Sequence, residues 1–432
     1  MENNKKIIEN FFAKYEMDYR AADFFQNTQK FVSEMEAGLS AKSSLAMIPT
    51  FIPDTTAPIR EKSVIALDAG GTNLRVSVVD FDKNGAATIK YFKKTEMPGV
   101  KHEVDQSVFF DTLAELVAPV LSLSNSISFC FSYPTEMFPD KDGELIRFTK
   151  EVKITGMQGR KICKSLKEAI ERKGYTAPAN IILLNDAVAT LLAGRAVNPG
   201  KSYDGNIGFI LGTGINAAYS ENVANIKKVS GFELNYENMV INLEVGGYDK
   251  YLRGVIDKEL DSVTADGGKQ QFEKMISGAY QGKLVREAIY KAANDGIFTA
   301  QIAHGALESL TTKDINQYIN NPNEQNILNE IFTDDTDRIR LYYLIEAIIQ
   351  RAAKLVAITL ASIMEKRQIG LNPMKPVCVT MDGTAYSASK AIQDKISFYI
   401  KKYINDEMLM YLDIVTADNL TVIGTAVAGA ME

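Results

Sequence analysis

Ile65-Ala66-Leu67-Asp68-Ala69-Gly70-Gly71-Thr72-Asn73-Leu74-Arg75-Val76-Ser77-Val78-Val79 describes two apolar strands joined by a glycine turn, a shape suited to a phosphate group. Gly70 and Gly71 carry no Cβ, so positive φ is open to them and their N–H groups can approach an anion closely. Thr72 and Asn73 add neutral donors and Arg75 a positive charge. Asp68 places a carboxylate at the end of the first strand, where it can hold hydrated Mg²⁺. Taken alone, D-x-G-G-T also describes an ordinary tight turn, so other segments have to decide.

Three of them do. Residues 207–216, Ile-Gly-Phe-Ile-Leu-Gly-Thr-Gly-Ile-Asn, repeat the pattern of apolar strand and glycine turn, with Gly212, Thr213 and Gly214 at the tip. Two such loops can clamp one triphosphate. Pro376-Val377-Cys378-Val379-Thr380-Met381 is an apolar strand that ends in Asp382-Gly383-Thr384, a turn able to lie against a flat adenine ring. Ile181-Ile182-Leu183-Leu184 is a buried-strand run ending in Asn185-Asp186, followed by the helix-like Ala187-Val188-Ala189-Thr190-Leu191-Leu192. That puts a carboxylate at a strand's carboxyl end, where open α/β sheets place their chemistry.

With these segments in order, the chain resembles the hexokinases of the sugar kinase, Hsp70 and actin superfamily over nearly its whole length. Phe31-Val32-Ser33-Glu34-Met35-Glu36-Ala37-Gly38-Leu39 and Ser44-Leu45-Ala46-Met47-Ile48-Pro49-Thr50 resemble the helix and linker that precede the first phosphate loop. Phe131-Ser132-Tyr133-Pro134, then Thr149-Lys150, are similar to the family's sugar signature. Asn242-Leu243-Glu244 resembles a sugar-contact turn, and residues 270–278 resemble the segment Q-x-x-E-K-M-I-S-G.

The resemblance implies an α/β, actin-like ATPase (ribonuclease H-like) fold with small and large domains around a central cleft. Residues 1–62 would be an amino-terminal helix and linker on the large domain, and 63–186 the small domain. Residues 187–417 would be the large domain, and 418–432 a helix returning to the small one. Helical periodicity runs over 5–40, 270–296 and 335–367, while 305–334 is polar and turn-rich. The implied activity is transfer of the γ-phosphoryl group of ATP to the 6-hydroxyl of a D-hexose, glucose ahead of mannose or fructose, as the first step of glycolysis, with ATP and Mg²⁺ as cofactors.

Each hexose hydroxyl both donates and accepts, so a site that recognises the ring needs amides and carboxylates. The implied sugar contacts are Ser132, Tyr133, Thr149, Lys150, Asn185, Asp186, Asn216, Glu244, Gln270 and Glu273. The implied nucleotide contacts are Asp68, Gly70, Gly71, Thr72, Asn73, Arg75, Gly212, Thr213, Gly214, Asp382, Gly383, Thr384 and Gly424, with Asp68 reaching the metal through water. His102 and His304 are the two histidines and neither falls in a motif. Asp186 stands in the family's catalytic position and can accept the proton of the attacking hydroxyl. Phosphoryl transfer passes through a loose transition state in which positioning and charge neutralisation carry most of the catalysis. Lys150 is the positive side chain expected near the reacting hydroxyl, either neutralising charge on the γ-phosphoryl group or binding the sugar.

Composition excludes other classes. At 432 residues and 46% hydrophobic, the chain can bury a large core spread over two or three domains. A net charge of −6, with Lys and Arg scattered, leaves no footprint for nucleic acid. Met1-Glu2-Asn3-Asn4-Lys5-Lys6 leads into a charged amphipathic helix without a signal-peptide core. The longest apolar stretch, near Leu355 to Met364, is too short to span a bilayer, so no membrane is expected. Three cysteines, Cys130, Cys163 and Cys378, in apolar settings point to reduced thiols in the cytoplasm. A monomer or homodimer is expected.

The chain departs from the family pattern in four places. The Trp before Thr-Lys is Phe148, the Gly-Phe after it is Glu151-Val152, and the Trp of the N-x-E turn is Val245. The glycine-rich adenosine turn is represented by residues 418–424, ending in Gly424. These departures and the length of a single catalytic unit suggest a bacterial-type chain. Two alternatives stand beside the hexokinase expectation: a kinase for another sugar such as a hexosamine, and a non-catalytic sugar sensor.

Overall fold

A computed structural model describes residues 2–54, 59–146, 148, 152–197, 200–303 and 305–431. The strands form two large sheets, with the helices Asp186–Val197 and Leu420–Ala430 packed between them. The smaller has the order β10-β6-β2-β3-β4, formed by Asn180–Leu184, Ser126–Phe131, Lys62–Ala69, Asn73–Phe81 and Ala87–Glu96. β2 and β3 are the hairpin around Gly70, antiparallel with Asp68 opposite Arg75. β2, β6 and β10 run parallel, so the segments that leave them share one edge of the sheet.

Helices cover both faces of this sheet, which is why β2 is a continuous apolar run instead of an alternating one. The helices Gln106–Val117 and Ile162–Arg172 close one core with Phe109, Leu113, Leu166 and Ile170. The carboxyl-terminal helix Leu420–Ala430 closes the other, against Val64, Ala66 and Cys130. β4, the exposed edge, carries Lys90, Lys93 and Lys94, charges that discourage edge-to-edge pairing.

The larger sheet has the order β1-β13-β12-β11-β14-β15, formed by Ile48–Pro53, Asn238–Asn242, Ile215–Asn222, Gly205–Leu211, Val377–Asp382 and Leu412–Val415. β11, β14 and β15 are parallel and deliver Gly212 and Gly383 to the same edge. Two minor pairs complete the strands, β5 (Val104–Asp105) with β9 (Ile154–Thr155) and β7 (Thr135–Met137) with β8 (Gly143–Leu145).

Three expectations about elements change. Residues 5–40 form two helices, Glu2–Lys14 and Phe24–Ser40, because Glu16 turns left-handed (φ 58°) and Asp23 caps the second by accepting the Gln26 N–H at 2.7 Å. The stretch 305–334 contains the helices Thr312–Asn320 and Ile327–Ile331, the first opened by a Thr311–Asp314 capping box. By length and composition, Gln106–Leu123 and Asp335–Arg367 are apolar enough to cross a bilayer. The most apolar window of Asp335–Arg367 is 89% buried inside the protein, which makes it the core helix of the large domain. The three cysteines are free and buried.

Between the sheets lies the helix Asp186–Val197, held on both sides by glycines. A Cβ on Gly208 of β11 would stand 2.2 Å from the Ala187 carbonyl oxygen, and one on Gly424 would stand 1.7 Å from that of Ala189. Only glycine lets strand and helix come this close to its backbone. The carboxylate of Asp186 is thereby fixed at the junction of the two domains.

Candidate active site

The ends of β2, β6 and β10 converge. Cys130 of β6 is in register with Asp68 on one side and Leu184 on the other. Burial, then the charges of Asp68 and Asp186, push its thiol well up, against hydrogen bonds with Ser132 and Thr425. One sulfur therefore lies within the field of both carboxylates. Asp68 is buried and bonded by the Arg75 guanidinium across the hairpin. Arg75 is thus turned onto Asp68 and does not stand apart as a phosphate ligand. Ser132 leaves β6 with its N–H donating to the Ala69 carbonyl at 3.3 Å.

The turn itself departs from expectation, since neither Gly70 nor Gly71 takes a left-handed φ. Its shape is set by the Gly70 N–H donating to the Asn73 carbonyl at 3.1 Å and the Met97 N–H donating to the Thr72 carbonyl at 3.1 Å. The Asn73 amide donates to Thr72 Oγ1 at 2.9 Å. Tyr133, expected at the sugar, is 1% exposed, and its ring packs against Phe131 and Phe148. Its hydroxyl donates to the Gly70 carbonyl at 3.3 Å, so it braces the phosphate loop from behind. Burial, then the Asp68 charge, raises the phenol above its ordinary range, which keeps it a donor. Thr149 and Lys150 lie outside the described residues.

Asn185 and Asp186 open the central helix. The Ala187 N–H donates to Asn185 Oδ1 and to Asp186 Oδ1, both at 2.9 Å, so the two side chains cap the helix that carries them. Opposite them the large domain supplies a polar cluster. Asn216 Nδ2 donates to Asn185 Oδ1 at 3.1 Å, Asn242 Oδ1 at 2.8 Å and Glu244 Oε1 at 3.2 Å. Asn242 Nδ2 donates to Glu244 Oε1 at 2.8 Å. Asn242 belongs to the expected Asn242-Leu243-Glu244 sugar-contact turn, of which Glu244 alone was expected to meet the sugar. The available signal was the N-x-E spacing itself, an asparagine at the end of the strand Asn238–Asn242 and two residues before Glu244.

Gln270 and Glu273 come from the helix Gln271–Ile276 and its cap. Glu273 Oε2 accepts the Ile215 N–H at 3.2 Å, and Gln270 lies against Gly246. Glu244 (φ 57°) and Gln270 (φ 49°) are both left-handed without being glycine. Strain of this kind persists where the surroundings hold it, and it concentrates at functional sites.

The second glycine loop is gripped from the same side. The Gly278 N–H donates to the Gly212 carbonyl at 2.8 Å, and the Ala279 N–H donates to the Thr213 carbonyl at 3.1 Å. Gly383, at φ 117°, passes so close to Leu211 that a Cβ would stand 2.5 Å from its carbonyl carbon. Gly212, Gly383 and Thr384 thus lie against one another, while Gly214 lies against Glu273. The Asp382 carboxylate is occupied in holding its own turn and the carboxyl-terminal helix, accepting the Gly383 N–H at 2.7 Å and the Thr421 hydroxyl at 3.0 Å. Gly424, expected at the nucleotide, instead packs against the Ala189 carbonyl and serves helix contact.

Among the described residues no group of three His, Cys, Asp or Glu side chains could hold a bare ion. A single buried carboxylate, Asp68, beside the first glycine loop fits Mg²⁺ carried by phosphates and water.

The hexokinase family model matches residues 9–196 in one part and 206–431 in the other. Hexokinase-1 of Schizosaccharomyces pombe is 28% identical over 430 residues, covering 94% of this chain and 87% of that one. Human hexokinase-2 is 29% identical over 408 residues, and there the match takes in 86% of this chain and 43% of the relative. The chain therefore spans less than half the length of the human protein. A hexokinase from Schistosoma mansoni complexed with glucose superimposes with a TM-score of 0.82 at 22% identity, covering 100% of this chain and 99% of that one. These relatives are eukaryotic, so the expectation of a bacterial-type chain has no support. Two glycine loops, a carboxylate at the head of the helix between them and matched domains on both sides have one explanation: the chain belongs to the hexokinase family of ATP-dependent hexose kinases.

Proposed function

We propose that this protein transfers the γ-phosphoryl group of ATP to the 6-hydroxyl of a D-hexose, with glucose the first candidate, and that it does so in the cytoplasm. The observation that carries this is the hydrogen-bonded cluster of Asn185, Asn216, Asn242 and Glu244, with Asp186 next in the chain to Asn185 and Glu273 on the Ile215 N–H beside Asn216. A ring of hydroxyls is matched by groups that alternate donor and acceptor.

Asp186 accepts the proton of the attacking hydroxyl, and Asn185 orients the ring beside it. Glu244, Asn216, Gln270 and Glu273 hold the remaining hydroxyls. The loops at Gly71–Thr72 and Thr213–Gly214 are the proposed source of backbone N–H groups for the phosphates, since the Gly70 and Gly212 N–H groups close their own turns. Mg²⁺, when bound, neutralises charge on the β and γ phosphates, and Asp68 would hold it through water. Lys150 and Thr149 remain the proposed small-domain contacts to the reacting end of the sugar.

The test is ADP release with Mg-ATP across glucose, mannose, fructose, glucosamine and a blank, for wild type and Asp186→Ala. General-base participation is worth about 10²–10⁴-fold, so the variant should lose that much kcat while keeping its fold. Hexose binding without ADP release in wild type would move the protein to the sugar-sensor alternative.

A further inference from the structure

We propose that Asn242 is a positioning residue for the acceptor sugar, fixing the Asn216 amide and the Glu244 carboxylate in the orientation in which they meet hydroxyls. The proposal rests on the hexose-kinase function above.

The polarity of the cluster follows from its hydrogen bonds. Asn216 Oδ1 accepts the Ala217 N–H at 2.8 Å, so its NH₂ group points toward three oxygens. Reversing that amide would set an oxygen against three oxygens and a nitrogen against an N–H. The shortest of the three bonds goes to Asn242 Oδ1. Asn242 passes the orientation on, because its own Nδ2 then faces Glu244 Oε1 at 2.8 Å. Asn185 Oδ1 is taken by Asn216 and by the Ala187 N–H, which turns its Nδ2 away from both. One buried amide thus ties the Asn216 amide to the Glu244 carboxylate and holds both in place against the cleft.

Asn242 itself is 4% exposed and sits beneath the cleft floor, bordering a small cavity shared with Thr50, Tyr133 and Asn185. It acts through its neighbours. Glu244 needs such support, since its backbone is left-handed and two amide N–H donors hold Oε1. A hydroxyl-reading site that presents a donor where an acceptor is needed leaves a buried group unpaired, and that mismatch is what discriminates.

The experiment is steady-state kinetics of the full chain with glucose and Mg-ATP, for wild type, Asn242→Ala and Asn242→Asp. Losing the amide should raise KM for hexose about tenfold or more while KM for ATP moves less than about twofold. Asn242→Asp keeps the shape but sets a second carboxylate against Glu244 Oε1. Burial and the like charge raise the pKa of that pair, so near pH 8 the variant should resemble Asn242→Ala. Toward about pH 5.5 the introduced carboxyl takes up a proton, donates it to Oε1 as the amide did, and KM for hexose should return toward wild type.

The other titratable groups around the position are Glu244, Asp186 beside Asn185, Tyr133 across the cavity and Glu273 behind the Ile215 N–H. All of these are present in wild type and Asn242→Ala, so the recovery should be confined to Asn242→Asp. A purely structural role would not produce it.

The proposal is overturned if KM for hexose stays within about twofold of wild type in both variants, if both KM values rise together, or if Asn242→Asp shows no recovery at low pH. If Asn242→Ala does not fold, the pH comparison within Asn242→Asp still decides. If wild type releases no ADP with any hexose, the kinase function fails instead, and the same pattern sought in the hexose dissociation constant tests Asn242 separately.

Discussion

Gly214 is glycine because Glu273 is where it is. A Cβ at 214 would stand 2.6 Å from Glu273 Oε2, the oxygen that accepts the Ile215 N–H. Gly214→Ala should therefore push the carboxylate off the second phosphate loop and out of the sugar cluster together. We expect KM for hexose to rise about tenfold, as for loss of a hydrogen bond to a charged group, with a thermal midpoint little changed. Kinetics beside a melting curve check this, and an unchanged KM would mean that Glu273 relaxes freely. At this scale the sequence told residue types better than directions. Asn185, Asn216 and Glu244 are brought together by hydrogen bonds, and each lies within two residues of a strand end: Asn185 just past Asn180–Leu184, Asn216 second in Ile215–Asn222 and Glu244 two residues past Asn238–Asn242. Tyr133 and Gly424 were misplaced for the opposite reason. Each lies in a motif, but its direction is set by partners distant in sequence, Gly70 for the one and Ala189 for the other.

The short helix Gln271–Ile276, which delivers Glu273, is anchored from below by a buried ion pair. Lys274 Nζ bonds Asp261 Oδ1 at 2.7 Å and Asp266 Oδ1 at 2.8 Å, with the Lys274 side chain 4% exposed. Burial raises the Asp261 carboxyl, but Lys274, the Gly268 N–H and Arg253 outweigh it and hold the pKa below the ordinary range. Burial lowers Lys274, while Asp261 and Asp266 raise it further. A depressed carboxyl stabilises the fold above its unfolded pKa, near 3.9, and the stabilisation is lost as pH falls through the folded value. A raised lysine stabilises below its unfolded pKa, near 10.4, and that is lost as pH rises through the folded value.

Asp261→Asn should accordingly cost about 3 kcal/mol at pH 7, the low end for breaking a buried pair, because Asp266 remains. Urea unfolding of both proteins should show the gap closing as pH drops below about 4. A gap independent of pH would mean that the loss is packing and not charge. KM for hexose should rise with the same substitution, since Gln270 and Glu273 ride on this helix. Elements of this kind were partly legible. The helical reading of 335–367 takes in the whole core helix Asp335–Arg367. The break between Lys14 and Phe24 turns on one left-handed residue and one cap, which no apolar period reveals.

At the scale of the molecule, the groups that would meet the substrates are divided between two bodies. Asp68, Ser132, Asn185 and the first glycine loop follow strands of the small sheet. Asn216, Glu244, Glu273 and the second loop belong to the large one. Asn185 and Asn216 bond across the divide, and Arg195, at the end of the Asp186 helix, pairs with Asp54 just beyond β1. Behind them Ile48 and Thr50 of β1 meet Phe131, Tyr133 and Leu184 around a small cavity that Asn185 and Asn242 also border.

In a site split in this way a bound hexose, bridging Asn185 to Glu244 and Glu273, supplies the differential contacts that favour the closed form over an open one. Water alone cannot span the walls in the same way, so hydrolysis of ATP should stay slow until sugar binds. We predict that saturating glucose reduces the radius of gyration in small-angle X-ray scattering. ADP release without sugar should be at least about 10²-fold slower than with it, the penalty of a misplaced reacting geometry. Glu244→Gln should weaken both effects together, because the bridge and not the nucleotide drives closure. An unchanged radius with full sugar dependence of rate would place the control in local side chains instead. Contraction with ATP alone would assign closure to the phosphate loops.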